Sequence, residues 1–466
     1  MNLDRLFDLW EGKGYRLYMV GGCVRDRLLG RPVLDYDLCT DSSPEETMEL
    51  LRTAGCRPHP IGIAYGTVST GIDTPVGHSV VQITTFRNEE RYFPGSRHPE
   101  VRFGKDLEAD LARRDFTINA MAMDRRGRLI DPLGGREDLE RRLVRTPGPP
   151  GETFAEDPLR MLRAFRFACI LGFGIEESTF RAISDRHELI LDISRERWKM
   201  EMDRLLSARD GGRVAYVLDL MKRSGMLSDM IPELEGMFDS DGLSRSPAHR
   251  YDVWRHTLET VSGVARPSAV LRWAALLHDL GKPGCMITGE DGIPHFYGHE
   301  RLGAELSDRV ARRFRFSRKE RRSLKFLVGN HMRPVLYSTE WSDRAVDRLA
   351  ADAGDNLELL LELAKSDISA HDTSYAEKGL ERLEELARRL ERSDAGKRLL
   401  PRKLGKILAE KGLEGRRLAG VLAEFRELVS GGVLPAMAPP RIYLDYLEDH
   451  PEMGKGRMTL DEPSDP

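Results

Sequence analysis

Two aspartates one residue apart, Asp35 and Asp37, offer the sharpest chemistry in the chain. In an extended segment alternate side chains share a face, so both carboxylates point the same way. Side by side they repel and want a cation. Mg2+ is the hard cation that takes one or two carboxylates together with substrate phosphates. Upstream lies Val20-Gly21-Gly22-Cys23-Val24-Arg25-Asp26, the pattern of a strand that ends in two glycines and opens a helix. Glycines let the backbone approach a phosphate, and a helix N-terminus presents free N–H groups and partial positive charge. Arg25 adds a guanidinium fork for a triphosphate. Taken singly, the Gly-Gly turn reads as structural and the D-x-D as a surface turn. Together they read as a nucleotide and metal site.

Three further groups carry chemistry. In Arg113-Arg114-Asp115-Phe116-Thr117-Ile118-Asn119-Ala120, Asp115 and Asn119 suit a ribose hydroxyl and Arg114 a phosphate; helix capping by Asp115 competes. Asp157 and Arg160 are three apart on an expected helix, about 60° apart around its axis and so on one face. A carboxylate accepts from the amino group of cytosine or adenine, and a guanidinium donates to a ring nitrogen or carbonyl; a surface ion pair is the rival. Arg163 continues toward phosphate, while Arg166 rotates to about the opposite side. The third group is histidine: seven of the twelve (His249, His256, His278, His295, His299, His331, His371) crowd into about a quarter of the chain, with Asp279 directly after His278.

These residues need elements to hold them. β-type runs at Tyr15–Val20, Tyr36–Cys39, Thr67–Ile72 and Ser79–Phe86 alternate with helical patterns at Val24–Leu29 and Pro44–Ala54, and Leu3, Leu6, Phe7 and Trp10 form one helical stripe. A mixed sheet with helices fits. The Pro/Gly cluster at Pro147–Gly151 marks a boundary, after which the spacing is helical almost throughout and strand signals disappear. The expected fold class is α+β, with an α/β head on a long helical body. The expected domains are a head at 1–146, a base-selecting neck at 147–245, a histidine block at 246–375 and a tail at 376–466.

At 466 residues the chain can bury several cores, and 40% hydrophobic against 32% charged residues is a globular composition. Net charge −4 supplies no bulk attraction to nucleic acid, so RNA contact must come from local clusters. Residues 388–417 carry eleven Lys/Arg against four Asp/Glu, and 309–322 carry eight against one; solvated helix faces are the alternative for both. Five scattered cysteines without a C-x-x-C pair point to free thiols and a cytoplasmic protein. No signal pattern and no membrane span is expected.

The ordered set Gly21-Gly22-x-Val24-Arg25-Asp26-x-Leu28-Leu29-Gly30…Asp35-x-Asp37, then Arg113 to Ala120, then Glu156-Asp157-Pro158-Leu159-Arg160-x-Leu162-Arg163-x-x-Arg166-Phe167-Ala168, resembles the class II tRNA nucleotidyltransferase and bacterial poly(A) polymerase family. The resemblance implies a polymerase-β-like head and template-free addition of CMP and AMP from CTP and ATP to the tRNA 3′ end. It assigns Mg2+ to Asp35 and Asp37. Nucleotide contacts fall to Gly22, Arg25, Arg114, Asp115, Asn119, Arg163 and Arg166, and base choice to Asp157 and Arg160. Ser194-Arg195-Glu196-Arg197-x-x-x-Glu201 resembles the motif that braces this helix. Two departures stand out. Gln82 occupies the place of a family Glu, removing a third carboxylate. The loop Tyr92–Pro99 lacks the Asp that commonly precedes its Gly, which leaves a CC-adding or A-adding enzyme open; poly(A) polymerase is a further rival within the same chemistry. Leu276-Leu277-His278-Asp279-Leu280-Gly281-Lys282 with His256 resembles the HD phosphohydrolases; Asp367 is then the matching late Asp, His299 and His331 are extra nitrogen ligands, and a second divalent metal and an alternative role as an HD phosphohydrolase follow. Lys411 to Gly420 resembles the family tail that grips tRNA.

Overall fold

The computed structural model describes residues 2–33, 35–60, 62–74, 77–91, 100–238, 252–290, 294–392, 400–401, 404–430, 433–435 and 438–453. The chain forms two compact units, one of residues 1–332 with 362–377 and one of 333–361 with 378–466.

The first unit begins with the mixed sheet. Its strands are β1 (Leu17–Val20), β2 (Tyr36–Thr40), β3 (Thr67–Thr74) and β4 (Gly77–Thr85); a separate hairpin follows of β5 (Arg87–Arg91) and β6 (Glu100–Phe103), and the sheet resumes with β7 (Ala122–Met123) and β8 (Leu129–Ile130). The six-stranded order is β3-β4-β2-β1-β7-β8, with β2 and β4 parallel and the other pairs antiparallel. All four expected strands are present. The helix Leu3–Glu11 buries Leu6, Phe7 and Trp10, and the Trp10 indole donates to Ser42 Oγ at 3.1 Å. A capping box at Ser43 and Glu46 starts the helix Pro44–Thr53.

Helices dominate after Pro150, but strands do not stop at Thr146. Gly174–Ile175 pairs in parallel with Leu143–Val144, and Ile287–Thr288 pairs with Pro294–His295. Two-residue strands carry no readable periodicity, which is why the pattern hid them. The helix Leu159–Leu171 is buried on almost all sides, as its ten apolar residues require, and the three arginines among them need partners. Beside it runs the helix Arg195–Leu206, whose other side meets the histidine block. There Trp273 donates to Asp203 Oδ1 at 2.8 Å, Lys199 pairs with Glu320 at 2.9 Å, and the fully buried Arg272 donates to the carbonyls of Leu206, at 2.7 Å, and Ala208. Arg272 thus satisfies C-terminal carbonyls that the helix leaves without partners.

The second unit has its own core of Leu404, Leu408, Val421, Phe425 and Tyr443, drawn from the helices Leu404–Glu410, Gly415–Ser430 and Pro440–Asp449. Among the described residues no helix is long and apolar enough to cross a membrane. All five cysteines carry free thiols.

Candidate nucleotide site and metal centre

The head site forms where β1 runs out. Gly21 adopts φ +71° ahead of the helix Gly22–Leu28, and a Cβ at Gly21 would lie 3.2 Å from Arg114 Nη1 and 3.9 Å from Asp37 Oδ2. A side chain there would fill the cradle, so glycine suits both the backbone and the approach. β2 brings Asp37 alongside, tied from behind by the Cys23 thiol on its carbonyl at 3.4 Å. Asp35 is exposed immediately before β2. Burial, with Asp35 adding like charge against the counter-pull of Arg114, pushes the Asp37 carboxyl above its ordinary range. Such a pair is stabilised by a divalent cation, so the residues present fit Mg2+. Gln82 lies in register with Asp37 on the neighbouring parallel strand, and offers an amide there rather than a third carboxylate.

The remaining head residues form one network. Arg25 grips Asp26 with Nε and Nη2, at 2.9 and 3.0 Å, and donates from Nη1 to Asn119 Oδ1 at 2.7 Å. Asn119 donates in turn to Asp115 at 3.0 Å, and Asp115 accepts Arg163 Nε at 3.0 Å and Nη2 at 2.5 Å. Burial pushes the Asp115 carboxyl up, but Arg163 and the Asn119 amide outweigh it and hold it at about 2. The capping alternative for Asp115 is set aside by these partners: the short helix Thr117–Asn119 has no side-chain cap.

The neck departs from the helical reading of Asp157. That residue is extended, at φ −140° and ψ 97°, between the helices Pro150–Glu156 and Leu159–Leu171. Pro158 is the cause, because the residue before proline is driven out of the α region. Asp157 therefore precedes the helix rather than lying on it, although its carbonyl accepts the Arg160 N–H at 3.0 Å and joins the two across the first turn. Asp157 caps the Leu159 N–H at 3.1 Å and accepts Arg197 Nη2 at 3.2 Å. Arg160 donates to the Arg113 carbonyl at 2.8 Å and to Glu156 at 3.2 Å, which brings it beside Arg114. Arg166, expected to point away, is buried and pairs with Glu201, itself fully buried. It braces the helix from behind, and its ring partner Phe167 lies 4.0 Å away. Asp110 was absent from the sequence reading. It is a buried carboxylate that takes both Arg113 and Arg114, and an acid one turn before a double arginine was the available signal.

The histidine block assembles a second candidate centre. His256, His278, Asp279, His299, His331 and Asp367 are all buried. The Nδ1 atoms of His278, His299 and His331 face the carbonyls of Ala275, Phe296 and Val328 at 2.8, 2.8 and 2.7 Å. Donation there leaves each Nε2 as a lone pair aimed inward, the tautomer a metal-binding histidine needs. Asp279 lies at the centre: Oδ2 is 3.2 Å from His278 Nε2 and 3.7 Å from His256 Nε2, and Oδ1 is 3.5 Å from His299 Nε2 and 3.9 Å from His331 Nε2. Asp367 accepts His256 Nε2 at 3.0 Å. His278 Nε2 is buried without a hydrogen-bond partner, and the Nε2 atoms of His299 and His331 face each other at 3.3 Å. Burial, then His278, pushes His331 down to about 4, which keeps it a neutral donor. This donor set fits a divalent transition metal. Lys282 also reaches Asp279, at 2.6 Å. His295 stacks on Tyr297 and is not part of the cluster. His249 and the loop Tyr92–Pro99 lie outside the described residues.

The two basic runs fare differently from their composition. Within 309–322, Arg313 pairs with Glu233, Arg312 and Arg321 share Asp308, and Arg315 lies 3.9 Å from Glu196, while Arg309, Arg318, Lys319 and Arg322 are exposed. In the tail, Arg389 pairs with Asp343 and Lys411 with Glu448.

Comparison with known proteins agrees with this geometry. Residues 17–145 match the family described as the poly A polymerase head domain, 172–237 the probable RNA and SrmB-binding site of polymerase A, and 248–367 the HD domain. The CCA-adding enzyme of Geobacillus thermodenitrificans is 40% identical over 268 residues, 58% of this chain and 60% of that protein. The chain thus spans about 60% of that relative's length. The multifunctional CCA protein of Pseudomonas fluorescens is 39% identical over 336 residues, covering 68% of this chain and 74% of the relative. The solved Bacillus stearothermophilus CCA-adding enzyme in complex with CTP superposes with TM-score 0.58 at 26% identity, over 96% of each chain. A polymerase-type head, a helical neck and an HD block in one order, with this degree of identity, place the chain in the poly(A) polymerase head-domain family that includes the CCA-adding enzymes.

Proposed function

We propose that the chain is a cytoplasmic, Mg2+-dependent nucleotidyltransferase that adds CMP and AMP from CTP and ATP to the tRNA 3′ end, building or repairing its CCA terminus. The observation that carries this reading is the hydrogen bond from Arg160 to the Arg113 carbonyl, which draws the base-reading neck against the phosphate-reading head. The division into head 1–146, neck 147–245, HD block 246–375 and tRNA-binding tail 376–466 belongs to the same proposal.

In this mechanism the Gly21–Gly22 turn admits the triphosphate to the free N–H groups of the following helix, and Arg114 and Arg25 supply guanidinium donors. Asn119 and Asp115 lie where a ribose hydroxyl is read. Asp157 accepts from the exocyclic amino group of cytosine or adenine, and Arg160 donates to the ring; uracil and guanine present the wrong edge. Asp35 and Asp37 would hold Mg2+, which when bound supplies charge neutralisation at the triphosphate. Arg163 and Arg166 position the neck helix through Asp115 and Glu201.

The cluster around Asp279 supports a second reading, a phosphohydrolase acting on RNA ends. His256, His278, Asp279 and Asp367, with His299 and His331, would hold its divalent metal, which when bound supplies a polarised water. One assay separates the readings. tRNA lacking CCA, tRNA ending in CC and an unrelated RNA are each offered single labelled nucleotides, and product length is followed. Addition of two C and one A to tRNA alone is expected. Growth of the unrelated RNA would indicate a poly(A) polymerase, and stops after C or only at A the partial enzymes. Shortening without growth would favour the hydrolase.

A further inference from the structure

The Asp110 carboxylate joins three parts of the head. Its side chain is 1% exposed. On Oδ1 it accepts the Arg113 guanidinium, Nη2 at 2.7 Å and Nε at 3.2 Å, and the backbone N–H of Arg87 at 3.1 Å, where the chain leaves β4 for the β5–β6 hairpin. On Oδ2 it accepts Arg114 Nη2 at 3.1 Å. Burial would push this carboxyl up, but Arg114 and Arg113 outweigh it and keep it an anion. Arg114 follows the helix Leu107–Ala112 that carries Asp110, so the pair spans about one turn.

The two arms of the Arg114 fork therefore differ. One is fixed by Asp110, and the other, Nη1, stands against Gly21 at the mouth of the Gly-Gly turn. A free arginine side chain loses rotamer entropy when it engages a ligand, and a prior anchor removes much of that cost before the ligand arrives. We propose that Asp110 is a positioning residue for nucleotide addition, holding Arg114 so that its free arm meets the triphosphate. This rests on the reading of the head as a nucleotidyltransferase site. Asp110 touches no reacting atom; it acts through Arg114.

A double-mutant cycle tests it on the full chain. Asp110→Asn keeps the oxygen for the Arg87 N–H and removes the charge. It is expected to raise the KM for CTP and ATP by on the order of tenfold, with a smaller change in kcat. In an Arg114→Ala background the same substitution should change KM less than about twofold, because its target is already gone. An equal effect in both backgrounds overturns the proposal, as does an unchanged KM for a folded Asp110→Asn. Asp110→Ser, smaller and still able to accept from Arg87, repeats the cycle if the Asn variant melts below the assay temperature. If Arg114→Ala itself leaves KM unaltered, the nucleotide-site reading fails instead, and the two failures are distinguished.

Discussion

Arg197 donates from Nη2 to Asp157 Oδ2 at 3.2 Å, across forty residues of sequence. The contact fixes one carboxylate oxygen of Asp157, the proposed base reader, while the other caps Leu159. A side chain held at both oxygens presents a single edge to an incoming base. Arg197→Ala should therefore relax base choice more than it slows total incorporation. A well-made bidentate contact discriminates by about 1–3 kcal/mol, so the preference for CTP over UTP should fall by roughly tenfold or more. Arg160→Ala should do the same. Competition between labelled CTP and UTP on tRNA lacking CCA measures it, and an unaltered ratio would remove both arginines from base selection.

The crowding of Asp35 and Asp37 leads to a second expectation. Each replaced by Ala should lower incorporation by on the order of a hundredfold or more, while a gel-shift assay shows tRNA binding nearly intact. Because burial, with Asp35 beside it, raises the Asp37 carboxyl, its charge costs the fold stability at pH 7; Asp37→Asn removes that cost and should melt at or above the parent temperature. Full turnover by Asp35→Ala would refute the metal assignment.

Acid should act on the joint between head and neck. Asp115 titrates at about 2 in the fold against an ordinary 3.8, its carboxylate favoured by Arg163. A depressed carboxyl stabilises the fold above its unfolded pKa and loses that contribution as pH falls through the folded value. For a side chain 10% exposed the difference is worth roughly 2 kcal/mol. Asp115→Asn should thus lower the urea midpoint at pH 7, with the gap to the parent narrowing between about pH 4 and pH 2. A constant gap over that range would sink the ion-pair account.

The histidine block should respond to metal without affecting the head. Titrating the metal-free chain with Mn2+, Ni2+ or Zn2+ should raise its thermal midpoint; a hundredfold excess over Kd stabilises by about 2.7 kcal/mol. Asp279→Ala should lose that rise, together with any hydrolysis of RNA ends, while CMP incorporation continues. Incorporation that disappears with Asp279 would argue against separate centres.

What could be read beforehand depended on scale. Strands of four or more residues and the Gly-Gly turn follow from alternation and glycine chemistry, so β1 to β4 and the cradle at Gly21 were visible in the chain. Asp157 was misplaced because a single proline overrides a helical spacing, although Pro158 was there to be weighed. Asp110 was passed over although its partners Arg113 and Arg114 follow within one turn; the inward-facing Nε2 atoms were invisible for another reason, since the backbone carbonyls that orient them leave no trace in the spacing of residue types. In the run at 309–322, Glu233 takes Arg313 and Asp308 takes Arg312 and Arg321, pairings that composition alone does not reveal.

The helix Arg195–Leu206 offers Arg197 to the base reader on one side and Asp203 to Trp273 on the other. A chain cut near residue 245 would strip Arg272 from the carbonyls of Leu206 and Ala208 and lay Trp198 open to water. The matched segments 172–237 and 248–367 follow one another in sequence, yet the first leans on the second; a truncation near residue 245 should precipitate or melt early where point changes at Asp279 are tolerated.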